Sequence, residues 1–325
     1  MLKSNQALIR DDIIASLDLK PSLQKETSQY INDAILYTIE AIRNNNALII
    51  KHYLHWMHST LKHDGLDSKD IKKIFTKLKT EFYDIDEHSK SILDFSFDDV
   101  LSLRLEYGDT ELNQYARQYL KLILNKDRHG AAQYVNDLIN KNFSIPEIYS
   151  DVMTPTLYEI GWLWQQNKIT TADEHLATAI TQYVMTTLYE EIFSTQKNEY
   201  KVLGASIGSE LHEIGIRMVI DLFEYAGYNT HYLGGNIPYE SFVSFVKDYQ
   251  PDIILISVTL TLHLTDLKKT IKKIRSDSTL KNAKIIIGGQ PFMNNPMLYK
   301  EYGADAYTKN AKDAVKVGDR LVRSN

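Results

Sequence analysis

The chain contains no cysteine, which excludes disulfides, thiolate zinc sites and cysteine-held iron–sulfur clusters. No run approaches the ~20 apolar residues that span a bilayer, and the stretch from Met1 to Gln6 has no apolar signal core. Basic excess is missing as well. With 37 Lys and Arg against 42 Asp and Glu, the net charge of −5 offers no general attraction to nucleic acid or anionic lipid. Nor is there a nucleophile–base constellation, a Gly-rich phosphate loop, or a short helix, turn and basic recognition helix. These absences set the first expectations: a cytoplasmic protein with no membrane contact, no direct nucleic acid binding and no independent catalysis.

What is present is ordinary in amount and specific in arrangement. The 325 residues leave room for two or three domains, and 43% hydrophobic with 24% charged residues suits a soluble globular chain. Up to about residue 108 the pattern is helical. Ile31, Ile35, Ile39 and Ile42 share a face, as do Ile50, Tyr53, Leu54, Met57 and Leu61. Asp64-Gly65 stops that pattern, and Ile71, Ile74, Phe75, Leu78 and Phe82 give a further helix. His52, His55 and His58 recur every third residue, but nothing completes a metal site around them, so they read as a polar helix flank.

Gly108-Asp109 opens a second helical block, expected over 109–197 as a four-helix bundle with short links. Its third helix starts at the capping box Ser144-Ile145-Pro146-Glu147 and runs to Trp164; its fourth covers Thr171 to about Ser194. From 198 the period changes. Strands are expected at Lys201–Ile207, Asn229–Leu233, Asp252–Ser257, Lys284–Ile287 and Ala306–Thr308, and helices at Ile214–Ala226, Tyr239–Tyr249, Leu264–Arg275, Pro296–Tyr302 and Lys312–Val322. Strand–helix alternation with β-branched strands predicts a flavodoxin-like, doubly wound, five-stranded parallel sheet. The fold class is thus α/β plus all-α: N-terminal helices (1–108), a helical cap (109–197) and the sheet domain (198–325).

Candidate site residues lie in the loops that leave three of these strands. Ser209-Glu210-Leu211-His212-Glu213-Ile214-Gly215 follows the first strand, Ser257-Val258-Thr259 ends the third, and Gly288-Gly289 ends the fourth. Such loops meet at the carboxyl edge of the sheet, where folds of this kind bind ligands. His212 is a candidate metal ligand, with Glu210 able to hold its second ring nitrogen. Alone, a histidine before a helix is more often a solvated residue; three such loops on one edge favour a site. His263 is its rival at that edge, and His231 is expected to face solvent or the sheet.

The pattern resembles the cobalamin-binding domain shared by methionine synthase, corrinoid methyl carriers and CarH/LitR-type light-sensing regulators, written D-x-H-x-x-G, S-x-L and G-G. The resemblance implies that His212 is the lower ligand of cobalt and Glu210 its partner. It also implies that Ser257 and Thr259 hydrogen-bond the displaced nucleotide tail, that Gly288 and Gly289 leave room for it, and that Gly215, the motif's glycine, belongs to the cofactor site. Glu210 stands where the pattern has Asp, and Ser257-Val258-Thr259-Leu260 reads S-x-T-L. Trp164, then nine residues, then Glu174-His175 is similar to the light-sensing branch, in which the Trp and Glu cover the upper face of the corrin and the His lines the pocket. Where that branch captures cobalt with a histidine directly after the Trp, this chain has Gln165.

The resemblance covers residues from about 110 to 325 and implies a cobalamin-binding sensor or regulator, possible light response included. It favours adenosylcobalamin as cofactor, with methylcobalamin as the other form. The partner expected on that reading is a regulatory protein, or a second copy engaged through residues 1–108. The alternatives are a corrinoid methyl carrier serving separate methyltransferases, and a chain that exchanged cobalamin for another tetrapyrrole.

Overall fold

The computed structural model describes residues 6–17, 19, 21–83, 85, 87–97, 112–293 and 297–323. The Gly108-Asp109 break and the helix start at Pro296 lie outside them. The chain divides into two compact units, Met1–Tyr107 with Gln165–Lys168, and Gly108–Trp164 with Ile169–Asn325. No described helix is long and apolar enough to cross a membrane.

In the first unit, α1 (Gln6–Ala15), α2 (Pro21–Asn44), α3 (Leu48–His63), α4 (Ser68–Tyr83) and α5 (Glu87–Phe97) build an all-helical core. The periodic residues Ile31, Ile35, Ile39, Leu54, Met57, Ile74 and Leu78 are its buried side chains. One expectation fails here. His55 is not on a polar flank but buried, and burial pushes the half-covered His58 below its ordinary pKa. A side chain every third residue stays near one face of a helix, so an apolar partner surface takes imidazole in with it.

The second unit begins with α6 (Gln114–Leu124) and α7 (Arg128–Asn140). The Asn113 side chain caps α6 by accepting from the Tyr115 and Ala116 amides at 2.9 Å. The Ser144 box forms, with Glu147 accepting from the Ser144 amide at 2.8 Å. The helix it opens is not continuous, however. It consists of α8 (Ile145–Glu147), a π-helical stretch Ile148–Met153 and α9 (Thr154–Gln165). Pro155 has no N–H to give the Asp151 carbonyl, and the Asn113 side-chain amide takes that acceptor at 2.6 Å. The bundle closes with α10 (Thr171–Thr187), followed by α11 (Tyr189–Ile192).

The sheet has the order β2-β1-β3-β4-β5 and is parallel throughout: β1 (Lys201–Ser206), β2 (Asn229–Tyr232), β3 (Ile253–Ser257), β4 (Lys284–Gly288), β5 (Ala306–Tyr307). Its central strands are buried along almost their whole length, as β-branched runs covered on both faces must be. Helices α12 (Ile214–Tyr225), α13 (Tyr239–Tyr249), α14 (Leu264–Ser276), α15 (Gln290–Met293), α16 (Leu298–Glu301) and α17 (Ala311–Arg323) complete the fold. The last expected helix but one is thus shorter than its pattern suggested.

Helix α12 joins cap and sheet. Its Ile216, Ile220 and Phe223 pack on the sheet, whereas Met218 and Leu222 enter the core of the helical bundle. Polar contacts follow the same seam: Tyr149 donates to Asp221 at 2.8 Å, and Arg217 donates to the Tyr189 hydroxyl at 2.8 Å. Burial raises the Asp221 carboxyl to about 6, with Glu224 adding to the rise, although the Tyr149 hydrogen bond and Arg217 pull it down.

A carboxyl raised in the folded state contributes stability below its unfolded pKa, and that contribution is lost as pH rises through about 6. Asp221→Asn keeps an acceptor for Tyr149 without the charge. It should therefore be more stable than the parent at pH 8 by roughly 1–3 kcal/mol, with the advantage gone at pH 4. Thermal unfolding at the two pH values checks this; a variant less stable at both would contradict it.

Candidate functional site

Strands β1, β3 and β4 end side by side, with Ser206 paired to Ser257 and Ser257 to Gly288. The three loops singled out in the sequence therefore leave from one place on the carboxyl edge. In the first loop, Ser206 donates its hydroxyl to the His212 carbonyl at 2.9 Å, which folds the chain back on itself before α12. His212 Nδ1 donates to Glu210 Oε1 at 2.5 Å, and its backbone amide donates to the same oxygen at 3.0 Å. Nε2 is left without a protein partner among the described residues. The imidazole is 56% exposed while Glu210 is fully buried, so a fixed carboxylate holds an open ring.

Glu210 does more than orient the ring. Its other oxygen accepts from the Thr259 and Leu260 amides, both at 2.8 Å, and so ties the first loop to the third-strand loop. Burial alone would raise this carboxyl, but the bonds from His212 and the Leu260 amide outweigh it and hold the group down at about 2. The bond to Glu210 raises the His212 pKa against the opposing effect of burial, and the charges of Glu210 and Glu174 add to the rise. The next carboxylate, Glu213, accepts from Gln182 of α10 at 3.3 Å and from the Gly235 amide at 2.8 Å. The Gly234-Gly235 pair is thereby a turn locked to the site.

The glycines divide by role. Gly289 has φ +111°, and a Cβ there would sit 1.9 Å from the Val258 carbonyl oxygen, so only glycine fits. At Gly288 a Cβ would make ordinary contact, 3.5 Å from the Thr308 oxygen. At Gly215 a Cβ would meet nothing within 4 Å. The hydroxyls of Ser257 and Thr259 make no hydrogen bond among the described residues, and both residues are half-buried. His263 lies near the pair but is buried, which lowers its pKa; it is a covered neighbour and not a rival ligand. His231 is exposed and stacks on Tyr249, ring centroids 4.3 Å apart.

On the cap, the half-buried Trp164 donates its indole N–H to Thr171 at 3.1 Å across the α9–α10 turn. The box that opens α10 is Thr170 with Asp173, so the Glu174 carboxylate is not spent on capping. It accepts from the His175 Nδ1 at 2.8 Å and from Thr178 at 3.2 Å. Sequence patterns alone did not flag the Thr259 and Leu260 amides, Ser206, Gln182 or Glu213. The two amides are backbone groups, Ser206 donates its hydroxyl to a backbone carbonyl, and Gln182 and Glu213 lie far apart in the chain.

This donor set fits a corrinoid. One imidazole nitrogen is open and backed by a carboxylate, two hydroxyls are unclaimed, and Gly215 faces free space.

Residues 200–316 match the B12 binding domain family, and residues 115–189 match a second family described in the same words. A corrinoid protein of Desulfitobacterium hafniense is 22% identical over 204 residues, 62% of this chain and 94% of the relative. Dimethylamine corrinoid protein 1 of Methanosarcina acetivorans is 27% identical over 121 residues, 37% of this chain and 56% of the relative. The structure of the Methanosarcina barkeri monomethylamine corrinoid protein superposes with a TM-score of 0.54 at 19% identity, over 62% of this chain and 94% of that one. A chain of the methanol:cobalamin methyltransferase complex MtaBC of the same organism also matches, at 18% identity and a TM-score of 0.36, over 74% and 94%.

These relatives overturn the expected regulatory partner or self-association. They are corrinoid proteins by name, one of them named for dimethylamine, and not regulators. The light-sensing branch is not represented among them. The two domain matches, with corrinoid proteins as relatives, identify this chain as a cobalamin-binding protein.

Proposed function

We propose that the chain is a corrinoid methyl carrier that serves separate methyltransferases. The observation that carries this reading is the Glu210–His212 pair, open at Nε2, in a fold shared with a monomethylamine corrinoid protein. When bound, the corrinoid supplies a cobalt that accepts and gives up a methyl group. His212 holds that cobalt through Nε2, and Glu210 keeps the proton on Nδ1 so that Nε2 offers its lone pair. Ser257 and Thr259 hydrogen-bond the nucleotide tail, and Gly288 and Gly289 make its channel. Trp164, Glu174 and His175 cover the upper face from the cap. Carrier chemistry favours methylcobalamin over adenosylcobalamin as the working form.

Two outcomes separate the carrier from the sensor. Protein loaded with methylcobalamin should lose its methyl group to a thiol acceptor when a corrinoid-dependent methyltransferase is added, seen as a change of absorption spectrum. A protein that keeps the methyl group, yet binds adenosylcobalamin and changes assembly on illumination, would restore the sensor reading. Gln165, in the place of the light-sensing branch's capturing histidine, already weighs against that result.

Gly215→Ala tests where the cofactor lies. No protein atom opposes the added methyl, so the free protein should keep its stability or gain up to ~1 kcal/mol. Corrinoid binding should nevertheless weaken about 10-fold or more, the order of one misplaced group beside a metal ligand. Equal affinity in a titration would place the corrin elsewhere.

A further inference from the structure

We infer that His175 is a second protein ligand for the corrinoid cobalt, taking the axial position that His212 leaves. The inference rests on the cofactor reading above and deepens it. Its ground is a repetition of one device at two places. In each, a histidine gives its Nδ1 to a carboxylate, 2.5 Å for His212 with Glu210 and 2.8 Å for His175 with Glu174. Each carboxylate is then fixed through its second oxygen, Glu210 by the Thr259 and Leu260 amides and Glu174 by the Thr178 hydroxyl. In each the ring is open, 56% exposed for His212 and 76% for His175, and Nε2 has no protein partner among the described residues. Carboxylate–imidazole pairs of this kind are how proteins set a histidine to bind a metal.

A chance surface ion pair is a poor account of Glu174 and His175. Successive residues on a helix point about 100° apart and do not normally face each other. Here the imidazole is drawn round to the Glu174 side of α10. Gln182, seven residues after His175 and so on the same face of α10, hydrogen-bonds Glu213 next to His212, which places that face against the loop of the lower ligand. Cobalt in a corrin has four ring nitrogens in plane and two axial positions, and imidazole suits such a metal. With His212 in one position, the cap-borne histidine is placed for the other. In the exchange, a water ligand leaves as water and the Nε2 lone pair replaces it, with no change of oxidation state. The resting cofactor would thereby be closed to outside ligands.

The test uses the full-length protein and hydroxocobalamin, with azide as the competing ligand. The wild type should show one spectrum and His175→Ala another, the latter carrying an exchangeable water. Azide should bind the wild type at least ~10-fold more weakly than His175→Ala, and Glu174→Gln should fall between them. Superimposable spectra and equal azide affinity, with both proteins holding the cofactor, would overturn the assignment. A wild type that takes up no hydroxocobalamin would instead overturn the corrinoid reading itself, and this ligand with it.

Discussion

His212→Ala is expected to weaken corrinoid binding by at least ~100-fold and to remove the spectrum of cobalt ligated by protein imidazole. The magnitude follows from comparison with its support. Losing a partner such as Glu210 costs ~10–100-fold in metal affinity, and losing the ligand costs more. Glu210→Ala should therefore lie between wild type and His212→Ala in affinity. It should fall below His212→Ala in stability, because the buried Glu210 carboxylate also accepts the Thr259 and Leu260 amides. A titration with each variant, paired with thermal unfolding, separates the two effects. His212→Ala with unchanged affinity and spectrum would remove His212 from the site.

Gly289→Ala is expected to damage the fold as well as the site. The residue sits at φ +111°, where an alanine is strained, and the new Cβ would meet the Val258 carbonyl oxygen at 1.9 Å. Val258 has 0% exposure and is hydrogen-bonded by its amide to the Gly288 carbonyl, so the loop cannot yield cheaply. A loss of about 3 kcal/mol or more is the expected result, read as a drop in unfolding temperature, with corrinoid binding lost in parallel. Gly288→Ala, where the nearest atom would be 3.5 Å away, should be far milder in the cofactor-free protein. Equal stability of the two variants would show that Gly289 is not held in this conformation.

The contrast between these two neighbouring glycines shows what a sequence reveals and what it hides. Both were readable as members of one motif, since motif spacing follows the strands that end there. Their different roles depend on a carbonyl thirty-one positions earlier, brought close only by β3–β4 pairing. The sheet itself was legible throughout, because buried β-branched strands and amphipathic helices carry opposite hydrophobic periods. The break at Ile148–Met153 was not. Its apolar residues keep a helical spacing, and the cause is a missing amide at Pro155 together with a side-chain amide from Asn113. At the site, His212 and Glu210 announced themselves by adjacency. The links to Gln182 and the third-strand amides are long-range or backbone contacts with no periodic signal. His175 was visible as a motif residue, but its pairing with Glu174 runs against helical spacing and emerges only from the side-chain geometry.

The central claim is that His212, and not the nucleotide tail of the cofactor, supplies the lower nitrogen to cobalt. Electron paramagnetic resonance of the cob(II)alamin-loaded protein tests it directly, because one axial nitrogen splits each cobalt line. Unlabelled protein should give triplets from nitrogen-14. Protein made with nitrogen-15 histidine should give doublets, and His212→Ala should lose the splitting by protein nitrogen. Triplets that persist unchanged in the nitrogen-15 protein would place the cofactor's own base on cobalt and contradict the account.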